Sequence, residues 1–228
     1  MKSVSSHPRR SIARRIWLIC TVAIFILSAG YVGVALWVEH TRSPDPVTVS
    51  VDEGSWDPDQ EGRDEEKPTA DALSSYTVAA EVPRALYIDK LKVAARVLPM
   101  GVNNLNAIQA PLNIYDSGWY NGSVKPGAVG AMFIDGHASG PTRQGLFAYL
   151  DTLVEGDTLQ IEKGNGERLT YTVVHVEIGD VASLDMSKML KPYGDGVKGL
   201  NLMTCTGTWL KDQQTYDKRV MVWTEQIS

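Results

Sequence analysis

From about Glu81 to the C-terminus the sequence is a succession of short β-prone runs separated by turn residues, and that texture limits the architectures open to it. RALYID (84–89), LKVAARV (91–97) and AVGAMFID (128–135) are followed by DTLQIEK (157–163) and RLTYTVVHVEI (168–178), then GLNLMT (199–204) and KRVMVWT (218–224). Gly164, Asn165 and Gly166 stand between the fourth and fifth runs and supply the positive-φ residues that a tight hairpin requires. Helical patterning is confined to GLFAYLDTL (145–153) and SLDMSKML (183–190). Many short strands with two short helices, and no regular βα alternation, predict an antiparallel barrel or sandwich over residues 81–228.

Ahead of this domain lie two segments of opposite character. The run Ile16–Val38 holds no charged residue, and its 23 residues would reach roughly 35 Å as a helix, enough to cross a hydrocarbon core of about 30 Å with some tilt. Trp17 and Trp37 sit near its ends as interfacial anchors. Arg9, Arg10, Arg14 and Arg15 precede it, whereas Glu39, His40, Arg42 and Asp45 follow. The positive-inside bias therefore predicts a single-pass signal anchor over 16–38, with residues 1–15 cytoplasmic and 39–228 outside the cell membrane. A cleaved signal peptide competes with this reading, but the run exceeds a usual apolar h-region.

The formal net charge of −5 resolves into +5 for residues 1–38, −8 for 39–71 and −2 for the remainder. With its only concentrated positive charge beside an apolar run, the chain does not have the footprint of a nucleic-acid binder. Residues 39–80 carry Asp, Glu, Pro, Ser and Gly with few large apolar side chains. Such a composition cannot offset chain entropy, which predicts an acidic flexible stalk leading to the folded domain at 81–228.

Cys205 is the only cysteine outside the apolar run, where Cys20 reads as a small membrane residue. A lone cysteine is more often a buried small hydrophobe than a nucleophile. Cys205, however, follows the strand-like LNLMT directly and precedes TGT, so it falls where a strand ends and a side chain can be both fixed and reachable. A thiol there needs a positive neighbour to become a thiolate near neutral pH. His7 would be cytoplasmic and His40 would abut the membrane. His175 lies inside TYTVVHVEI on the strand face of Tyr171 and Val173 and reads as structural. His137 follows AMFID and Gly136 and begins the loop ASGPTRQG, a placement that mirrors that of Cys205. Arg219 shares a strand face with Met221 and Trp223, unusual company for a solvated charge, and its guanidinium can hold a carbonyl or an oxyanion.

These residues resemble a family. The segment D-G-H, then GLFAYLDTLVEGD, then N-L-M-T-C, then an arginine about a dozen residues on, is similar to the sortase pattern, with His137, Cys205 and Arg219 at its three catalytic positions. Phe147, Leu150, Gly156 and Asp157 match the intervening framework, and the likeness extends over about 84–224. Asn201 departs from it by replacing the usual first Thr of the cysteine motif. Asp57–Pro58 is reminiscent of the Asp-Pro lid of pilin-building members, but Asp59 follows where that lid has an aromatic or apolar residue. The compact barrel looks closer to class F and class E sortases than to the pilin-building class C.

The resemblance implies an all-β fold, a closed antiparallel barrel of about eight strands with one or two short helices. It implies a cysteine transpeptidase that cuts a Leu-Pro-x-Thr-Gly-like sorting signal between Thr and Gly through a Cys205 thioester. The acyl group then passes to an amine, on a peptidoglycan precursor or a pilin lysine. Thr204 is expected to line the signal groove, and no cofactor or metal site is expected. The partners so implied are surface proteins bearing the signal, the acceptor amine and the membrane. Two alternatives stay open: a membrane-tethered binding module on an inactive barrel, and an L,D-type cysteine transpeptidase. The second wants Cys-x-Arg within a His-Gly-Cys segment, whereas Thr206 and Gly207 follow Cys205.

Overall fold

The computed structural model describes residues 61–103 and 107–228. The apolar run 16–38, Cys20, Asp57–Pro58 and the first part of the acidic stalk lie outside the described residues. Among the described residues no helix is long and apolar enough to cross a membrane.

Eight strands follow a short helix α1 (Ala70–Ser74): β1 (Pro83–Ile88), β2 (Val93–Met100), β3 (Ser117–Tyr120), β4 (Gly130–Gly136), β5 (Thr158–Lys163), β6 (Arg168–Asp180), β7 (Lys198–Leu210) and β8 (Thr215–Gln226). They close a barrel in the order β1-β2-β3-β4-β7-β8-β6-β5. The pairings β2–β3 and β4–β7 are parallel and the others antiparallel. The expected all-antiparallel ladder therefore holds except at these two joins, where the long connections 101–116 and 137–197 bring the chain back in the same direction.

Strand alternation divides the side chains into two sets. Met132 and Ile134 of β4, Leu200 and Leu202 of β7, and Val220 and Val222 of β8 fill the barrel interior with Leu86, Trp119, Phe147, Ile161 and Tyr171. The opposite side chains of the same three strands, Phe133, Met203, Met221 and Trp223, form a second apolar cluster with Leu184, Met186 and Met189. That cluster lies on the outer wall, and the chain between β6 and β7 covers it.

The GNG turn is formed as the sequence predicts: Gly166 has φ +85, and Lys163 N donates to Glu167 O at 2.8 Å between β5 and β6. The four residues of β3 escape a sequence reading because Ser117 and Gly118 look like turn residues. Both expected helices shrink to 3₁₀ turns, Leu150–Thr152 in one case and Val181–Ser183 with Met186–Leu190 in the other. In the first, Leu146 N donates to Ile114 O and Phe147 N to His137 O, so neighbouring segments hold the amides that would begin a helix. In the second, side chains of β7 and β8 take the carbonyls of Lys188, Met189 and Lys191.

Residues 61–80 do not continue as a flexible stalk. Asp64 N donates to Leu112 O at 3.2 Å and Ile114 N to Asp64 O at 2.9 Å. Glu65 accepts hydrogen bonds from Thr142 N at 2.7 Å, from Arg143 N at 2.9 Å and from the Thr142 hydroxyl. Thr69 caps α1, and Tyr76 donates to Val97 O at 3.1 Å. The acidic side chains that argue for disorder are here acceptors for loop amides, a charge-assisted arrangement that composition does not reveal.

Candidate active site

Cys205 and Arg219 are direct cross-strand partners between β7 and β8. Both occupy the outer face together with Met203, Met221 and Trp223, so the face shared by Arg219, Met221 and Trp223 is as the sequence predicts. Arg219 is anchored at the start of β8: Nη1 donates to Tyr216 O at 2.9 Å and Lys218 O at 3.0 Å, and Nη2 donates to Thr215 Oγ1 at 2.8 Å. Three of the five guanidinium N–H groups are thereby engaged. The other two carry no hydrogen bond to the described residues and stay available to a ligand.

His137 arrives from β4. The parallel register pairs Asp135 with Met203; His137 follows two residues on, just past the end of β4, as Cys205 follows two residues on in β7. Thr204 holds this junction. It points into the barrel rather than into a groove, is 4% exposed, and donates its hydroxyl to Gly136 O at 2.7 Å. The expectation that Thr204 lines the signal groove is therefore corrected: strand alternation puts it on the face opposite Cys205. Beyond His137 the loop folds back, with Gly145 N on Ala138 O and Phe147 N on His137 O, both at 2.9 Å. A Cβ at Gly145 would stand 2.4 Å from His137 O, so only glycine permits this approach.

The His137 ring is fixed on one side by a hydrogen bond of 2.7 Å from Nε2 to Pro111 O. Because a carbonyl can only accept, Nε2 carries the proton. The strap of residues 61–66 covers the ring. Gly62, at φ +68, lies so close that a Cβ there would sit 2.9 Å from Cε1 and 3.1 Å from Nδ1. Gly62 N donates to Pro111 O at 3.3 Å, and Glu61 accepts from Ala110 N.

The electrostatics favour the neutral form of both groups. Burial pushes the His137 imidazole down, and the Pro111 carbonyl opposes this in part. Burial pushes the Cys205 thiol up, the carboxyls of Asp135 and Glu61 act in the same direction, and Arg219 pulls it down. Burial, then the charge of Glu61, hold the Asp135 carboxyl well above the ordinary carboxylate range.

Beside the thiol, Met186, Met189, Met203 and Met221 with Phe133 and Leu184 form an adaptable apolar wall. Asn201 fastens it. Fully buried, it donates Nδ2 to Met189 O at 2.9 Å and Lys191 O at 2.8 Å, so the residue that departs from the cysteine motif ties β7 to the covering segment. Trp223 Nε1 adds a bond to Lys188 O at 3.3 Å. His175 lies elsewhere, stacked on Tyr193 with ring centroids 4.5 Å apart. A bulge between Val173 and His175 shifts the register, so His175 leaves the face of Tyr171 and Val173 and joins Trp223 outside the barrel. The sequence singled out His137, Cys205 and Arg219, and the fold gathers all three. It did not single out Asp135, two residues before His137 on β4, nor Glu61, Gly62 and Pro111, which come close only through the 61–66 and 107–114 segments.

The family model for the Sortase domain matches residues 86–227. The chain belongs to the sortase family. Its barrel is similar to that of a Streptococcus pneumoniae sortase C, at 18% identity over 73% of this chain and 75% of that one, with a TM-score of 0.50. Sortase A from Corynebacterium diphtheriae aligns at 19% identity over 73% of each chain, TM-score 0.48. Sortase C-1 from Actinomyces oris aligns at 19% over 63% and 72%, TM-score 0.47. At such identities the likeness concerns the fold alone. A search of curated proteins returned no match. As a sortase, the protein is a cysteine transpeptidase.

Proposed function

We propose that this sortase cleaves a Leu-Pro-x-Thr-Gly-like sorting signal between Thr and Gly and transfers the upstream protein to an amine. The observation that carries the proposal is the register that places Cys205 opposite Arg219 across β7–β8 while β4 brings His137 alongside. The Cys205 thiolate adds to the Thr carbonyl, and the oxyanion so formed is held by the two N–H groups that Arg219 has free. Collapse breaks the bond to the Gly nitrogen, which takes the proton of the His137 imidazolium, and a thioester remains. An incoming amine loses its proton to His137 and displaces the thiolate; where no amine is bound, water takes its place.

The methionine-rich wall beside Cys205 suits the apolar residue of such a signal. The apolar run 16–38 with its preceding arginines supports a single-pass anchor that keeps the N-terminus cytoplasmic and the barrel outside the cell. Substrate and enzyme then share one membrane plane, which raises their effective concentration. The acceptor in this reading is a peptidoglycan-precursor amine or a pilin lysine.

The test is incubation of the full chain, in detergent, with a quenched Leu-Pro-x-Thr-Gly peptide and an amine. Wild type should yield the aminolysis product and a transient acyl adduct by intact mass, and Cys205→Ala neither. Cleavage unchanged in Cys205→Ala would sink the thioester mechanism. No adduct from wild type across a peptide library would favour a binding module.

A further inference from the structure

Asp135 has no part in the chemistry above, yet it stands close to it. It lies on the outer face of β4, paired with Met203, one same-face step of about 7 Å from the thiol along β7. The residue keeps partial exposure, but its Oδ1 is sealed from solvent and has no hydrogen-bond partner among the described residues. That oxygen rests over Gly118, where a Cβ would stand 2.7 Å from it and 2.7 Å from Met100 Cγ, with Pro111 Cδ at 3.1 Å. The absence of a side chain at residue 118 thus makes the space that this carboxylate oxygen occupies beside Met100 and Pro111. Glu61, held on Ala110 N, adds a second acid. Arg219, beside Cys205, is bonded back to Thr215, Tyr216 and Lys218, and no cation pairs with Asp135 among the described ion pairs.

A buried carboxyl oxygen without a donor is destabilising, and an apolar residue on the outer face of β4 would pack against Met100 and Pro111 without that cost. Such an arrangement is explained when the missing partner arrives with a ligand. We propose that Asp135, with Glu61 beside it, is the counter-charge for a cationic group of a substrate, an alkylammonium or guanidinium seated next to the thiol. The inference rests on the transpeptidase reading, which supplies two sources for that group: a basic side chain within the sorting signal, or the acceptor amine before it loses its proton. A site built to pair a buried acid discriminates strongly against a ligand that leaves the acid unpaired.

Three measurements on the full chain test it. Acylation of wild type by Leu-Pro-Lys-Thr-Gly and Leu-Pro-Gln-Thr-Gly peptides reads the signal source. Partition of the thioester between a primary amine and water reads the acceptor source. Protection of Cys205 from iodoacetamide by butylammonium, compared with butanol, reads the site without any turnover. We expect butylammonium to protect at about tenfold lower concentration than butanol. One of the other two arms should show a preference of similar size. Asp135→Asn should abolish both preferences. If Asp135→Asn does not fold, the wild-type contrast between butylammonium and butanol decides alone. Equal protection by the two compounds overturns the proposal, as does a cation preference that survives Asp135→Asn. Failure to form any thioester would instead count against the transpeptidase reading, since the protection arm is independent of it.

Discussion

Replacing Gly62 by Ala tests whether the strap of residues 61–66 sets the resting state of the catalytic pair. Gly62 has φ +68, and a Cβ there would stand 2.9, 3.1 and 3.2 Å from Cε1, Nδ1 and Nε2 of His137. The left-handed backbone alone costs an alanine roughly 1–2 kcal/mol. The contacts add to this, because the hydrogen bond from Nε2 to Pro111 O holds the ring in place. The strap holds locally by Gly62 N to Pro111 O and by Glu61 to Ala110 N, so a penalty of about 1–2 kcal/mol shifts its docked-to-released ratio by roughly 5- to 30-fold. Release removes both the burial that lowers the imidazole and the Glu61 charge that raises the thiol. The His137 titration, followed by NMR of its ring protons, should therefore move up in Gly62→Ala. The inflection of Cys205 alkylation with pH should move down. Amide exchange at 61–66 should quicken while the barrel melts at an unchanged temperature. If exchange quickens but neither titration moves, the strap is not what perturbs the pair and the reasoning fails.

Thr204→Val removes the hydroxyl donor to Gly136 O without changing shape. It should cost about 1–3 kcal/mol of stability by thermal or urea unfolding and lower kcat more than it raises KM, since it loosens the strand end that carries His137. Asn201→Ala deletes two hydrogen bonds to the 186–191 segment; amide exchange there should rise by at least tenfold, with KM for the signal peptide rising more than kcat falls. With the imidazole lowered and the thiol raised, the reactive ion pair is a minor protonation state of constant fraction between the two titrations. The pH profile of kcat/KM should then be a broad plateau, its acid limb below the ordinary histidine value and its alkaline limb above the ordinary cysteine value. Glu65 is held below the ordinary carboxylate range chiefly by its Thr142 hydrogen bonds. Its hold on the strap is thus complete above the unfolded value and lost as pH falls through the folded one, so proteolysis within 61–66 should increase in acid. In Glu65→Gln the same segment should be cut at all pH values alike.

What was legible in the sequence followed local rules. Seven of the eight strands came from β-prone runs, and the GNG turn from the backbone freedom it demands. Arg219 was legible because alternation set a charge among apolar side chains. Features that depend on partners distant in sequence were not legible. Thr204 differs from Cys205 by one residue, and its inward direction follows from a barrel curvature that a linear motif does not carry. His175 was assigned to the wrong face because a single bulge inverts the alternation on which that assignment rests. Residues 61–66 look like the end of a stalk because acidic composition signals disorder only when no amides are presented to it. Here the loops 110–114 and 142–143 present them.

The same contacts bear on how an unpaired thiol survives where the proposed topology places it. A thiolate is the form that oxidants and disulfides attack, so a nucleophile kept protonated until substrate arrives is a protected one. In Cys205 the protection comes from burial and from two acids, and Arg219 alone opposes them. A substrate that brings a cation to Asp135 opposes the influence of that carboxyl on the thiol, and one that displaces the strap removes Glu61 as well. Either event lowers the thiol toward its partner histidine, so the groups that restrain the nucleophile at rest would also make its activation depend on the ligand.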